Sequence, residues 1–151
     1  MLEDWSFFVG SATGSGDSDP DDGRDESFRQ TGLQGDSEGF GELYQPEISN
    51  MTVDSIGVVW EAFNGVSIAL LGYDYEQRHA AEEVRDASLE ADTNGINTEL
   101  GREIDLVVAF EPYRGLELVL VAAEFEAGKA YGDSEGERSN YVAIELSYVF
   151  H

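Results

Sequence analysis

The residues best suited to chemistry in this sequence are acidic, and the densest group lies in the run Asp17-Ser18-Asp19-Pro20-Asp21-Asp22-Gly23. Calcium prefers several oxygen ligands, so Asp17, Asp19 and Asp21 are candidate ligands. The EF-hand pattern is not matched, because the glycine comes one position late and Phe28 stands where the bidentate glutamate belongs. A hydrated acidic loop is the alternative interpretation. No other cofactor is indicated.

A second group of acidic residues lies at alternate positions of a later segment. Glu99, Glu103, Asp105 and Glu111 share one face if that segment is a strand, because successive side chains point to opposite faces. They could line a polar, cation-tolerant wall or pair with basic residues on neighbouring strands. Candidate wall residues elsewhere in the chain complete the set: Glu145 and Arg78.

Catalysis is not indicated. A glycosidase needs two facing carboxylates, but 32 acidic residues will always offer some pair. His79 and His151 are the only histidines, and neither belongs to a metal-binding spacing or a Ser-His-Asp arrangement. The chain has no cysteine, which excludes disulfides, thiolate zinc sites and cysteine nucleophiles. A net charge of −24 excludes nucleic-acid binding through phosphate neutralisation, which needs clustered Lys and Arg.

The elements that position these residues are predicted to be strands, since six stretches mix β-branched, aromatic and small residues with partial alternation. The last strand alternates most clearly. The predicted strands are approximately Trp5–Ser15, Ser49–Phe63, Val66–Arg78, Asn97–Glu111, Leu116–Glu126 and Asn140–Phe150, and the apolar face of the last one carries Val142, Ile144, Leu146, Tyr148 and Phe150.

For two predicted strands, the sequence does not decide which residues lie on the apolar face. The fourth has an apolar face that Arg102 interrupts, so either Arg102 snorkels near an interface or the register slips at Gly101. In the fifth, either of two apolar sets could face the apolar side. The fourth strand's apolar set is Leu100, Ile104, Leu106, Val108 and Phe110; the fifth offers Leu116, Leu118 and Leu120 or Val119, Val121, Ala123 and Phe125.

Short and long connections alternate along the chain. Asn64-Gly65 is a hairpin signal, and Pro112-Tyr113-Arg114-Gly115 is another tight turn. The other connections are long and polar, at about residues 16–48, 79–96 and 127–139. In an antiparallel meander all short turns then fall at one end, which is typical of outer-membrane barrels. The sequence therefore predicts a single all-β domain over residues 1–151, forming part of a transmembrane β-barrel.

One loop segment, Ala80–Ala91, is rich in helix-forming residues. Ala80, Val84, Ala87 and Ala91 fall at helical spacing. We expect a short helix or frayed turn, which would be either a lid at a channel mouth or a solvated loop helix.

Several segments resemble the bacterial alginate-export outer-membrane porin family. They are Gly14-Ser15-Gly16-Asp17 continuing to Ser27-Phe28-Arg29-Gln30-Thr31-Gly32-Leu33-Gln34, Pro46-Glu47-Ile48-Ser49-Asn50-Met51, Leu100-Gly101-Arg102-Glu103-Ile104-Asp105-Leu106, and Phe125-Glu126-Ala127-Gly128-Lys129-Ala130-Tyr131. The resemblance implies a monomeric outer-membrane barrel of about eighteen strands, of which this chain is the C-terminal part. Relatives carry anionic polysaccharide or other solutes outward through a narrow lumen.

The resemblance also implies partners. Six strands are too few to close an ordinary barrel, so we expect missing strands from an upstream segment or other subunits, together with outer-membrane lipid. Tyr148 and Phe150 resemble the terminal signal that the barrel assembly machinery recognises, or are aromatic girdle residues. The expected function is passive export or diffusion of an alginate-like polysaccharide or small solutes. The alternatives are a soluble β-barrel or β-sandwich that binds a ligand, and an acidic calcium-binding adhesin.

Overall fold

The structure is a computed structural model, which describes residues 4–19, 23–29, 40–63, 65–85, 87–89 and 91–150. Its strands form one antiparallel sheet in chain order, each hydrogen-bonded to the next. The predicted six-stranded antiparallel meander is confirmed. The elements are β1 (Asp4–Thr13), β2 (Met51–Phe63), β3 (Val66–Gln77), β4 (Glu99–Tyr113), β5 (Leu116–Ala127), a 3-10 helix η1 (Lys129–Ser134) and β6 (Arg138–Tyr148). No helix in the described part of the chain is long and apolar enough to cross a membrane.

The two faces of the sheet differ sharply in composition and exposure. The outer face carries large apolar side chains on every strand, and many of them are exposed. Along β6, Ile144 is 71% exposed and Leu146 is 68% exposed. The outer-face residues in the middle of the strands include Phe7, Val9, Ile56, Leu70, Ile104, Leu106, Leu120, Val142, Ile144 and Leu146.

The open question about β5 is resolved by its register with β4. Leu106 is opposite Ala122 and Phe110 is opposite Leu118, so Leu116, Leu118 and Leu120 lie on the outer face. Asp105 is opposite Ala123, which places the alternative set, from Val119 to Phe125, on the inner face.

The inner face changes character along the strands. Near the long loops it carries buried acidic and aromatic side chains. Its middle is lined by small and β-branched apolar residues, and acidic residues return near the short turns. The apolar middle includes Val59, Ala69, Val107, Val121 and Ala143, and the acidic residues near the turns include Glu61, Glu117 and Glu145. The inner wall is therefore less uniformly polar than a strict inside-outside alternation predicts.

A β-bulge near the start of β4 places Leu100 on the face opposite to the predicted one. Tyr75 of β3 is opposite Gly101, whereas Glu76 is opposite Glu99, so Leu100 is the extra residue. Leu100 is fully buried on the inner side instead of lying on the apolar outer face. Gly101 has a φ of 136°, which glycine adopts easily and other residues rarely do. The register slip considered at Gly101 is thus present, and Arg102 lies outward beside Asp74, 2.8 Å from its carboxylate.

Short turns connect β2 to β3 and β4 to β5 at one end of the sheet. Gly65 and Gly115 both have positive φ, as tight hairpins require. The second turn is tighter than predicted, because β4 continues through Pro112 and Tyr113 pairs with Leu116.

The long connections lie at the opposite end, and the second of them is not helical. Residues 80–85, 87–89 and 91 form bends and a turn. Their polar groups bond to other segments: Gln77 Nε2 donates to the Glu83 carbonyl, and Thr93 N donates to the Glu82 carbonyl. These tertiary contacts override a helix propensity of a few tenths of a kcal/mol per residue.

Candidate functional site

The inner wall beneath the long loops holds two buried carboxylates, Glu103 and Asp105, at alternate positions of β4. Glu103 is 1% exposed and Asp105 is 0% exposed. They are buried because a turn of the first long loop, Phe40–Tyr44, lies against this part of the wall. The carboxylates therefore face protein and not open solvent.

The turn directs consecutive backbone N–H groups at these carboxylates. Glu103 Oε1 accepts hydrogen bonds from the backbone N of Glu42 and of Leu43, both at 2.7 Å, and Oε2 accepts one from Tyr44 N at 2.8 Å. Glu42 N also donates to Asp105 Oδ2 at 3.0 Å. Successive N–H groups that converge in this way form an anion-binding nest, and the Glu103 side chain fills it.

Gly41 makes this close approach possible. Its φ is 87°, and a Cβ at this position would meet Tyr75 Oη at 2.4 Å and Glu103 Oε1 at 2.6 Å. Tyr75 Oη in turn donates to the Phe40 carbonyl at 2.9 Å.

Tyr44 anchors the same turn through aromatic packing. It is fully buried, stacks on Phe125 of β5 with ring centroids 4.6 Å apart, and meets Tyr75 of β3 edge-on at 4.8 Å. Its hydroxyl lies 2.8 Å from that of Tyr131 in η1. Burial raises the pKa of Tyr44 and of Tyr131 above the usual value of a tyrosine.

The second and third long loops add a layer above this turn. Ser88 N donates to the Tyr44 carbonyl at 2.8 Å, and Glu47 N donates to the Arg85 carbonyl at 3.1 Å. Val84, Ala87 and Leu89 pack against the aromatic cluster, and Ala130 of η1 is fully buried in it. The three long loops thus fold together over one end of the inner wall.

Comparison with known families decides what kind of protein has this sheet. A family model described as alginate export matches residues 4–145, which is nearly the whole chain. The chain belongs to the alginate-export family. A search of curated proteins gives no match. The family is one of outer-membrane export proteins, which agrees with an all-β structure.

The segments that carry the alginate-export resemblance meet at the loop-covered wall. Glu103 and Asp105 belong to one segment, Phe125 and Tyr131 to another, and Met51, which is 1% exposed, to a third. Met51 lies on β2, the Gly101-to-Asp105 segment on β4 and Phe125 on β5, so residues far apart in sequence build one site.

The other candidate wall residues lie away from this site. Glu99 precedes the bulge, is exposed, and pairs with Lys129. Arg78 is exposed just beyond β3. Glu111 and Glu145 are exposed near the short turns, at the opposite end of the inner wall. Of the predicted wall residues, the structure brings together only Glu103 and Asp105, and a lumen role for the set stays a prediction.

The acidic run has no described metal cluster. Asp19 N bonds to Asp17 Oδ1 at 3.1 Å, which is a local turn contact, and Asp21 lies outside the described residues. Among the described side chains no group of three or more metal-binding types is close enough to hold an ion. The calcium site stays a prediction.

Aromatic residues mark the turn end of the outer face. Trp5 stacks on Trp60 with ring centroids 5.4 Å apart, and Tyr148 meets Phe150 edge-on at 4.7 Å. Tyr148 and Phe150 are both exposed. Their position fits both of the interpretations made from the sequence, a girdle and an assembly signal.

The sequence analysis missed the turn at Phe40–Tyr44 and the helix η1. The available signal was local: Gly39-Phe40-Gly41 and Leu43-Tyr44 place glycines and large apolar side chains inside an otherwise acidic loop. Hydrophobic residues in a long loop that also contains a glycine indicate a loop that packs on the protein instead of extending into solvent.

Proposed function

We propose that this chain forms part of the wall of an outer-membrane channel through which solutes move passively. The observation that carries the proposal is the difference between the two faces: large exposed apolar residues lie outward on all six strands, while the inner face carries carboxylates, small and β-branched residues, and aromatic residues buried beneath the loops. A soluble sheet would bury those outer residues against a second layer, and none of the described residues covers them.

The height of the apolar face fits a bilayer. It extends from Val142 on β6 to Phe150, two residues beyond the end of that strand, with Asn140 above it. The eleven residues from Asn140 to Phe150 are joined by ten steps, which span roughly 33 Å in an extended chain, or about 25 Å at the tilt of a membrane barrel, and this is the height of the lipid-facing band. Charged pairs lie at the loop end of this face, where polar groups meet headgroups: Arg102 with Asp74, and Arg138 with Glu124 and Glu126.

The open edges of the sheet call for further strands. Within the described residues β1 pairs only with β2 and β6 only with β5. Each unpaired backbone group in lipid costs several kcal/mol, so a membrane-embedded sheet of this kind must continue into other strands. We propose that those strands come from an adjoining segment or other subunits, that lipid covers the outer face, and that Tyr148 and Phe150 are read by the barrel assembly machinery.

The solute is proposed from the family and from the charge of the wall. Alginate-like polysaccharides are polyanions, yet the inward positions of the six described strands carry no Lys or Arg. This part of the wall therefore suits small neutral or cationic solutes, and attraction of a polyanion must come from basic residues elsewhere in the barrel.

The test uses the protein extracted from outer membranes. Heat-modifiable gel migration and detergent-dependent solubility are expected, as are discrete conductance steps in planar bilayers. Liposome swelling with neutral sugars and with uronate oligomers then separates the two solute classes. Solubility in water without detergent, combined with no conductance, would refute the proposal.

A further inference from the structure

The turn at Phe40–Tyr44 reaches far along the inner wall. Asp105, which accepts a hydrogen bond from Glu42 N, lies six residues from the start of β4 at Glu99. At about 3.3 Å per residue this is roughly 20 Å along the strand. In a channel the turn would therefore occupy space inside the lumen and not only cover its mouth.

The contact that keeps this turn against the wall depends on the negative charge of Glu103. Glu103 accepts three backbone hydrogen bonds from the turn at 2.7 to 2.8 Å. No Lys or Arg faces it from the inward positions of the described strands, so the backbone N–H groups compensate its charge. Hydrogen bonds to an ionised acceptor are about twice as strong as those between neutral groups.

Asp105 contributes less to keeping the turn against the wall. Its Oδ2 shares the Glu42 N–H with Glu103, and its Oδ1 is buried without a hydrogen-bond partner. A buried acceptor left unsatisfied costs free energy instead of stabilising the contact. Of the two carboxylates, Glu103 is therefore the principal anchor of the turn, and Asp105 is secondary.

We propose that the turn Phe40–Tyr44 is a constriction inside the channel and that Glu103 is the residue that holds it against the wall. This inference rests on the proposed channel function. The turn narrows the lumen while its N–H groups remain on the Glu103 carboxylate. When that contact is lost, the turn leaves the wall and the channel widens.

The first experiment changes the anchor and measures exposure of the turn. Because the chain has no cysteine, Leu43→Cys supplies a single thiol on a half-buried turn residue. In that background Glu103→Gln should raise the rate of modification by a membrane-impermeant maleimide about tenfold, the factor for losing one charge-assisted hydrogen bond. Glu124→Gln is the matched control: it lies opposite Ile104 on the outer face, so its labelling rate should stay at the parental value.

A second pair of variants changes the N–H donors of the turn and leaves β4 unmutated. It therefore remains informative if Glu103→Gln fails to fold. Glu42→Pro removes the N–H that bonds to both Glu103 and Asp105, whereas Glu42→Ala keeps it. Glu42→Pro should raise both the labelling rate and the single-channel conductance, and Glu42→Ala should raise neither.

The outcomes separate the anchor from the channel. Equal labelling in Glu42→Pro and Glu42→Ala, or no change in Glu103→Gln, would overturn the role of Glu103. Faster labelling with unchanged conductance in a conducting protein would overturn the proposal that the turn constricts the channel. An unmutated protein that never conducts would refute the channel function itself, while the labelling arm would still report on the anchor.

Discussion

Placing a charge on the outer face gives the most direct test of whether lipid covers it. Ile144 lies near the middle of the outer face on β6, between Val142 and Leu146, and is 71% exposed. We expect Ile144→Arg to lower the free energy of unfolding by about 2–4 kcal/mol, the cost of Arg near the midplane of a membrane barrel. In water the same substitution at an exposed site would change stability by no more than about 0.5 kcal/mol.

The neighbouring residue supplies the control. Glu145 is also exposed, but it points to the inner face. Glu145→Arg introduces the same side chain one residue away, so it should stay within about 0.5 kcal/mol of the unmutated protein. The measurement is equilibrium unfolding by urea of protein reconstituted in phospholipid vesicles, followed by tryptophan fluorescence. Equal stability of the two variants, or a larger loss for Glu145→Arg, would refute the assignment of the faces.

Two further predictions concern the bulge and the aromatic cluster. Gly101→Ala should lower the unfolding free energy by roughly 1–3 kcal/mol, because φ is 136° and the new Cβ would lie 2.3 Å from the Glu126 carbonyl oxygen. Gly72→Ala, whose Cβ meets nothing closer than 3.4 Å, should be neutral or slightly stabilising in the same denaturation assay. Burial raises the pKa of Tyr44 and Tyr131 from 10.0, so the folded state keeps their protons while the unfolded state loses them. Loop stability should therefore fall as pH rises above 10, and Tyr44→Phe should reduce that slope in alkaline melts.

The strands could be predicted from the sequence because their signals are local. Alternation on one β6 face from Val142 to Tyr148, together with glycines at both tight turns, defines strand positions without knowledge of distant contacts. The predicted boundaries lie within about two residues of those observed. The alternation of short and long connections also predicts which end of the sheet carries the loops.

The candidate site could be predicted only in part, because its decisive contacts are not local. Glu103 was assigned to the inner face by parity, but its hydrogen bond to Tyr44 N joins residues 59 positions apart. The segment Ala80–Ala91 failed as a helix for the same reason: its apolar residues pack on an aromatic cluster that other loops build. Leu100 was assigned to the wrong face because one extra residue in a strand moves every earlier side chain to the opposite face.

The bulge at Leu100 and the buried carboxylates depend on each other. A strand shifted by one residue would move Glu103 and Asp105 to the outer face and Ile104 to the inner one, since side chains alternate strictly. In the proposed membrane barrel the carboxylates would then face lipid, and the N–H groups of the turn would lose their acceptor. Both changes cost free energy. The bulge lets Leu100 join the aromatic cluster without imposing that shift on the rest of β4. Gly101 is therefore as important as the carboxylates in determining which residues of β4 lie on the inner face.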